Sequence, residues 1–173
     1  MRMSLRRSDS DRHSRLAPLL LRGAVGGTLI AHGVKHARSL QGTAGWFGSI
    51  GFRQPRLQAI SSAVVEVGAG SALLAGAATP VAAAAGIGTM AVAARSVHVR
   101  NGFFITAEGW EYVANLAVAS AVLAGIGPGR LSVDRALGWD RWLHGERALA
   151  GAAVVGLGAA AAQLATFYTE PQS

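Results

Sequence analysis

Long apolar stretches dominate the chain, and its polar residues are collected between them. A transmembrane helix needs about 20 apolar residues to cross a hydrocarbon core of about 30 Å, and five stretches reach or approach that length. These stretches lack the polar face that a helix of a soluble protein keeps toward water. The pattern therefore predicts five transmembrane helices, at residues 16–33, 57–78, 80–99, 110–127 and 148–167.

Composition agrees with this hydropathy pattern. Hydrophobic residues make up 51% of the 173 residues and charged residues only 14%, against about 25% charged residues in soluble domains. Small residues fill all five stretches, and the pairs Gly23/Gly27 and Gly156/Ala160 have the four-residue spacing that lets helices approach closely in lipid. We therefore predict a compact, all-α membrane bundle.

The placement of Lys and Arg predicts the orientation, because cytoplasmic segments of membrane proteins are enriched in both. Basic residues are concentrated in a tail at 1–15 and in a connection at 128–147, and we predict that both segments are cytoplasmic. An odd number of transmembrane helices then places residues 168–173 outside. A cleaved signal peptide fits poorly, since Arg22 interrupts the first apolar stretch and no small-x-small site follows it.

Net charge and cysteine content narrow the chemistry. The net charge is +7, but the basic residues sit at helix ends and form no aromatic-interleaved patch, which favours anionic lipid headgroups over nucleic acid as the partner. The sequence contains no Cys, which excludes disulfides, CxxC redox pairs, thiolate iron–sulfur clusters and CxxCH haem attachment. Redox chemistry would therefore use a bound cofactor or a partner chain.

Ionisable residues from four helices gather in the predicted outer half of the membrane. With the N-terminus inside, this group consists of His32, Lys35, Glu66, Arg95, His98, Glu108 and Glu111. Helical spacing places Glu108, Glu111 and Asn115 on one stripe, and Arg95 with His98 on another. The sequence therefore predicts a polar pocket that opens at the outer face.

Two charges, Arg22 and Glu66, lie inside predicted helices. Glu66 is about 13 Å below the outer edge and Arg22 about 9 Å above the inner one, so we expect the guanidinium to reach toward the carboxylate. A charge at mid-bilayer costs about 2.5 to 3.5 kcal/mol, which favours pairing. Two interpretations stay open: a structural ion pair that fixes helix register, and a site for a polar headgroup or proton-coupled redox ligand.

Signals for a metal are weak. A carboxylate-bridged dimetal centre would need Glu-x-x-His repeats, which the sequence lacks. A haem held by His32 and His98, or a zinc ion held by His32 and His36, would rest on two histidines alone. The more ordinary interpretation of His32 and His36 is a helix end that reaches into the headgroups. We predict no metal site.

Two connecting segments carry aromatic residues. Residues 45–55, GWFGSIGFRQP, are interpreted either as a lid over the polar opening or as an aromatic anchor at the membrane surface. In the second basic segment, Ser132 can cap a short interfacial helix with Asp134 in its first turn. Trp139 and Trp142 suit the headgroup zone, although a plain polar loop is an alternative for this segment.

An ordered series of motifs resembles the DoxX family of small bacterial membrane proteins. The motifs are LLLRGAVGGTLIAHGVKH, GWFGSIGF, VVEVGAGSALLAG, VHVRNGFFITAEGWEYVANL and GPGRLSVD, and the likeness covers about residues 19–134. The resemblance implies a DoxX-like four-helix transmembrane bundle in a bacterial inner membrane, to which the stretch at 148–167 adds a C-terminal transmembrane helix. Residues that match the family's recurring polar and glycine motifs are Arg22, His32, Lys35, Glu66, His98, Asn101, Gly102, Glu111 and Asp134.

The resemblance also implies a function. Relatives named DoxD form the membrane subunit of a thiosulfate:quinone oxidoreductase, and other DoxX-like proteins are linked to membrane-associated redox and oxidative-stress complexes. We therefore predict an integral membrane subunit of a redox complex, with other protein subunits as partners and a quinone as the candidate ligand. The alternatives are a non-catalytic scaffold of a larger envelope complex and a transporter of small molecules or lipids.

Candidate site residues come from the polar cluster. Glu66, His98 and Glu111 are the candidates for proton handling. The residues predicted to bind the ligand are Arg22, His32, Lys35, Trp46, Arg95, Asn101 and Glu108. Within this set, Arg95 is expected to stabilise an anionic form of the reduced quinone.

Overall fold

The computed structural model describes residues 3–142 and 144–171, with side chains from residue 16 onward. Helix makes up 81% of the structure and the described residues form no strands, which confirms the predicted all-α membrane fold class. The α-helices in the described range are α1 (Met3–Arg38), α2 (Leu40–Ser49), α3 (Pro55–Ala75), α4 (Thr79–Ala93), α5 (Glu111–Ile126), α6 (Val133–Ala136) and α7 (Glu146–Phe167).

Four helical segments are long and apolar enough to cross a membrane. They are Leu16–Arg38, Pro55–Ala75, Thr79–Asn101 and Glu146–Phe167. The third continues beyond α4 through a π-helical turn, Ala94–His98, and a short 3₁₀ turn. The remaining predicted span is α5, whose 16 residues extend about 24 Å. The backbone of the predicted basic tail is helical from Met3 and continues directly into the first span.

The bundle has two ends, which we name after Asp134 and His98. At the Asp134 end, the Asp134 carboxylate caps the first turn of α4. At the His98 end, His98 Nδ1 lies 2.6 Å from Glu108 O in the loop before α5. α5 connects the two ends, since it starts just after Glu108 and Gly125 O in its last turn accepts from Gly145 N at 2.8 Å. The five long helices therefore alternate in direction.

Asp134 joins distant segments of the chain at its end of the bundle. Its fully buried carboxylate accepts hydrogen bonds from Ala78 N at 2.7 Å, Thr79 N at 3.0 Å and Thr79 Oγ1 at 2.7 Å. These amides are donors that the start of α4 leaves without intrahelical partners. The predicted cap at Ser132 is confirmed, since Ser132 Oγ accepts from Arg135 N at 3.2 Å, although α6 contains only 4 residues.

Glycines set the closest helix contacts in the bundle. α1 packs against α3, and α4 packs against α5 and α7. A Cβ atom added to Gly26 would lie 2.7 Å from Gly70 O, and one added to Gly88 would lie 3.0 Å from Gly156 O. Only a residue without a side chain allows such an approach, which is the usual basis of tight packing in lipid. The predicted role of Gly156 is confirmed.

The predicted contact at Gly23 and Gly27 is wrong. A Cβ added to either glycine would meet no heavy atom within 4 Å. Successive residues of an α-helix are about 100° apart around its axis, so only one of two adjacent glycines can face a given neighbour. Gly26 faces α3, and Gly27 therefore faces away from it.

The additional helix α7 is an integrated part of the bundle. It lies against α4 and α5 along its length. At the His98 end, Arg53 N donates to Phe167 O at 2.7 Å and Thr169 N donates to Gly51 O at 2.9 Å. These backbone bonds fasten the end of α7 to the turn between α2 and α3.

Candidate functional site

A cavity of about 880 Å³ lies at the His98 end, between α1, α3, α4, α5 and the short helix α2. Seven of the ten predicted site residues line it, namely His32, Lys35, Trp46, Glu66, His98, Asn101 and Glu108. The structure thus brings together side chains from segments that are far apart in sequence. Arg22, Arg95 and Glu111 do not line the cavity.

Glu66 is the buried charge of this cavity, with only 5% of its surface exposed. Its position follows from the contact between α1 and α3, where a Cβ added to Gly33 would lie 2.9 Å from Glu66 Cβ. Ser62, one turn earlier on α3, donates a hydrogen bond to Glu66 Oε1 at 3.0 Å. Oε2 has no hydrogen-bond partner of good geometry among the described residues. Oε2 is itself buried, and it lies 3.2 Å from His36 Nδ1.

His36 completes a group with Ser62 and Glu66, which we call the Glu66 cluster. His36 Nδ1 lies 3.0 Å from Ser62 Oγ and 3.2 Å from Glu66 Oε2. The Ser62 hydroxyl gives its proton to Glu66, so its oxygen can only accept from the imidazole. His36 Nδ1 therefore carries a proton, and an ionised Glu66 has an N–H dipole or an imidazolium beside it. Such a partner lowers the cost of burying the carboxylate.

His98 faces the cavity from the turn that follows α4. Its Nδ1 lies 2.6 Å from Glu108 O, and a carbonyl oxygen accepts only, so Nδ1 carries the hydrogen. Nε2 of the neutral ring is left as an acceptor. The π-helical turn Ala94–His98 sets this orientation, since an extra residue in a turn redirects the side chains that follow. Asn101 Nδ2 donates to Val97 O at 3.2 Å and supports the same turn.

A tyrosine and a histidine form another polar part of the wall. Tyr112 Oη lies 3.4 Å from His32 Nε2, and the two ring centroids are 6.1 Å apart. Sequence reasoning missed Tyr112 and the role of His36. The available signals were small: His36 is one turn beyond His32, and Tyr112 directly follows Glu111.

Aromatic rings from the α2 segment form the remaining wall. Trp46 and Phe47 stack with centroids 5.1 Å apart, and Phe47 and Phe52 are 5.4 Å apart. All three side chains line the cavity, and Phe52 also packs on Tyr168 at 5.2 Å. Residues 45–55 thus contribute an apolar wall beside the polar one.

Arg22 does not pair with Glu66, and that expectation is wrong. Its guanidinium donates to Leu73 O at 2.8 Å, Pro128 O at 2.9 Å and Leu131 O at 2.6 Å, and also to Leu74 O. Arg22 precedes Gly33, which contacts Glu66, by about 16 Å along α1. The two charges therefore lie at different depths in the bundle.

Arg95 and Glu111 also form their hydrogen bonds outside the cavity. Arg95 Nη2 donates to Glu170 Oε2 at 2.7 Å, and Glu111 Oε2 accepts from Ile105 N at 3.0 Å. The Arg95 hydrogen bond holds the pKa of the Glu170 carboxyl below its usual range. At the other end, a hydrogen bond from Arg135 at 2.7 Å likewise lowers the pKa of Asp140.

The apolar helices of membrane-spanning length define the class of the molecule as an integral membrane protein with several transmembrane helices. Residues 17–99 match the model of the DoxX family, which confirms the predicted resemblance over this part of the chain. The match covers α1 from residue 17, then α2 to α4 with the Glu66 cluster, and it ends before α5 and α7. Comparison with curated proteins and with solved structures gave no match.

Proposed function

We propose that the cavity binds the head of a quinone or a similar hydrogen-bonding amphiphile, and that the chain is the membrane subunit of a quinone-linked redox complex. The observation that carries the proposal is the Glu66 cluster: a buried glutamate beside Ser62 and His36, lining a cavity that also has an aromatic wall. Intramembrane ionisable groups mark ligand or proton sites by default. The redox function that the resemblance to the DoxX family implies supports a quinone as the ligand.

The chemistry needs both protons and electrons. Reduction of a quinone to a quinol takes up two electrons and two protons, and the electrons would come from a redox-active partner subunit. His98 can take a proton on Nε2 and donate it to a bound carbonyl oxygen, which is general acid catalysis. A protonated Glu66 would supply the second proton and would become the carboxylate, which Ser62 and His36 would hold in position.

We infer the orientation of the chain in the membrane from its basic segments. The positively charged N-terminal segment leads into α1 at the Asp134 end, and the cavity lies at the opposite end. The positive-inside rule then puts the N-terminus in the cytoplasm of a bacterial cell and the cavity near the outer face of the inner membrane. A reporter enzyme that is active only outside the cytoplasm should be active when it is fused after residue 173. An inactive fusion of this kind, together with an active fusion of a reporter that works only in the cytoplasm, would contradict this orientation.

The binding claim is tested with a benzoquinone that has no isoprenoid tail. We expect Glu66→Gln and His36→Gln to weaken its equilibrium binding to the purified protein about tenfold each, equivalent to about 1.4 kcal/mol. Glu146→Gln is the matched control, because Glu146 is an exposed carboxylate at the Asp134 end. Thermal unfolding checks that each variant is folded. Equal affinity of wild type and both cluster variants would contradict the proposal.

A second candidate is a membrane scaffold that anchors soluble redox enzymes. The observation in its favour is a group of apolar side chains at the Asp134 end that are at least half exposed: Leu131, Leu137, Trp139 and Trp142. Headgroup anchoring explains the same side chains. Purification in mild detergent tests the scaffold function. If the exposed side chains bind a soluble enzyme, wild type retains that partner in stoichiometric amount and replacement of both tryptophans releases it. If the side chains only anchor the chain in the headgroups, the replacement changes no retained partner.

A further inference from the structure

We infer that the ligand of the cavity carries a long apolar tail, and that this tail lies in a second cavity formed with the additional helix α7. The inference rests on the proposed function, because it assigns the tail of the same amphiphile whose head binds at the Glu66 cluster. The second cavity is a groove of about 650 Å³ between α4 and α7, and we call it the α4–α7 groove.

The lining of the groove is suited to an apolar chain. Small and aliphatic residues of α4 and α7 form most of it, including Val81, Ala84, Gly151 and Val155. Val81 is 70% exposed and Val155 63% exposed, so the groove is open toward the lipid side of the bundle. Charged and aromatic side chains occur only where the groove reaches the Asp134 end, at Arg147 and Trp142, whose side chains both line it.

The groove adjoins the cavity that contains Glu66. Val65, Thr89 and Gln163 line both of them. At this junction Gln163 Nε2 donates to Gln58 Oε1 at 2.9 Å, and Gln58 is buried. On this inference, a ligand with its head at the Glu66 cluster would extend past this pair of amides into the groove.

Length and direction fit a single extended tail. The groove runs from Gln163 to Arg147 along α7, which is about 24 Å at a helical rise of about 1.5 Å per residue. It leads from the His98 end toward the Asp134 end, over most of a hydrocarbon core of about 30 Å. A partner helix could cover the outer opening of the groove, but it would not use the residues that line both the groove and the inner cavity. The shared lining therefore favours a polyisoprenoid or alkyl tail.

The inference also gives α7 a role. The DoxX match ends at residue 99, so α7 lies outside it, yet α7 supplies one whole side of the groove and Gln163 at the junction. With the additional helix α7, the site would bind the apolar tail of the ligand as well as its polar head.

The experiment compares two quinones with the same head, one without a tail and one with a ten-carbon alkyl tail. Gly151→Phe fills the groove, because Gly151 lines it and a Cβ there meets no atom within 4 Å. Gly158→Phe is the matched control, since Gly158 is equally open, lies on the same helix and lines neither cavity. Binding is measured at equilibrium with the full chain in detergent micelles.

We expect wild type and Gly158→Phe to bind the tailed quinone at least about tenfold more tightly than the tailless one, since burial of the tail adds affinity. Gly151→Phe should lose that difference and keep wild-type affinity for the tailless quinone. If Gly151→Phe bound both quinones as wild type does, the groove assignment would be overturned while the proposed function stood. If wild type bound neither quinone, the proposed function would fail and this inference with it.

A further outcome identifies a different occupant. Loss of co-purified phospholipid in Gly151→Phe, with unchanged affinity for the tailed quinone, would show that the groove holds an acyl chain of the bilayer. That result would also overturn the assignment.

Discussion

At the scale of single residues, Arg22 and Glu66 show that two buried charges in one bundle can have different uses. Arg22 donates to carbonyl oxygens of the last turn of α3 and of the loop after α5, and so joins these two segments. Glu66 lies beside Ser62 and His36 and lines a cavity. Arg22 is thus explained by the fold, whereas Glu66 belongs to the cavity that we propose as the ligand site.

Replacement of Arg22 tests this distinction. Arg22→Ala would leave several buried carbonyl oxygens without donors, at a cost of about 1 to 3 kcal/mol for each group that water cannot reach. We expect a fall of several degrees in the thermal unfolding midpoint in detergent, and no change for Arg56→Ala, which alters an exposed arginine of α3. Below the unfolding transition, affinity for the tailless quinone should be unchanged. A loss of affinity without a loss of stability would place Arg22 in the binding site.

Sequence reasoning located most of the cavity residues but not the pairs that they form. The ends of apolar stretches show that His32, Lys35, His98 and Glu108 lie at one end of the molecule, because charges are excluded from lipid. Which residue pairs with Glu66 depends on the relative height of α1 and α3. That height is set by the tight contact at Gly33, and no local pattern distinguishes Gly33 from the other glycines of α1.

At the scale of helices, glycines determine how α1 and α3 meet. Gly26 and Gly70 allow the backbones to touch, whereas Gly27 faces open space. The hydropathy pattern predicted the helices themselves because membrane-spanning length is a strong constraint. It could not predict which glycine faces a neighbour, since Gly23 and Gly27 have the same four-residue spacing as a true contact pair.

Adjacent glycines provide a matched test of this contact. Gly26→Ala places a methyl group 2.7 Å from Gly70 O, and overpacking of this kind costs about 1 to 3 kcal/mol. Gly27→Ala adds the same methyl group without a contact, so we expect it to be neutral or slightly stabilising through helix propensity. Denaturant or thermal unfolding of the two variants checks the difference. Equal effects would show that α1 is rotated from the orientation described above.

The end of α7 gives a prediction for pH. Because Arg95 lowers the pKa of Glu170, this pair stabilises the segment above the unfolded pKa of about 4.3, and the contribution is lost as pH falls through the folded value. We expect hydrogen-exchange protection at residues 167–170 to fall below about pH 4. Glu170→Gln should show the low protection already at neutral pH, and Glu146→Gln should behave as wild type. Full protection in Glu170→Gln would mean that backbone bonds alone hold the segment.

At the scale of the whole molecule, the described chain is a bundle of helices that alternate in direction, with a polar cavity at one end and a network of hydrogen bonds at the other. The hydrogen bonds of Asp134 and Arg22 join the helices at the Asp134 end, and most of the predicted site residues line the cavity at the His98 end. The sequence predicted the order of the long helices, and among the described residues four of them reach membrane-spanning length while α5 is shorter. The sequence could not predict that α7 adds a groove next to the cavity, because that contact joins residues of α3, α4 and α7 that are distant in the chain.

The most direct measurement is the mapping of a photoreactive quinone on the purified protein. Irradiation with the reactive group on the quinone head, followed by peptide mass spectrometry, should modify peptides that contain His36 or Glu66. Glu66→Gln should reduce that labelling, and Glu146→Gln should leave it unchanged. Modification confined to lipid-facing residues such as Val118 and Val154, with no effect of Glu66→Gln, would contradict the account.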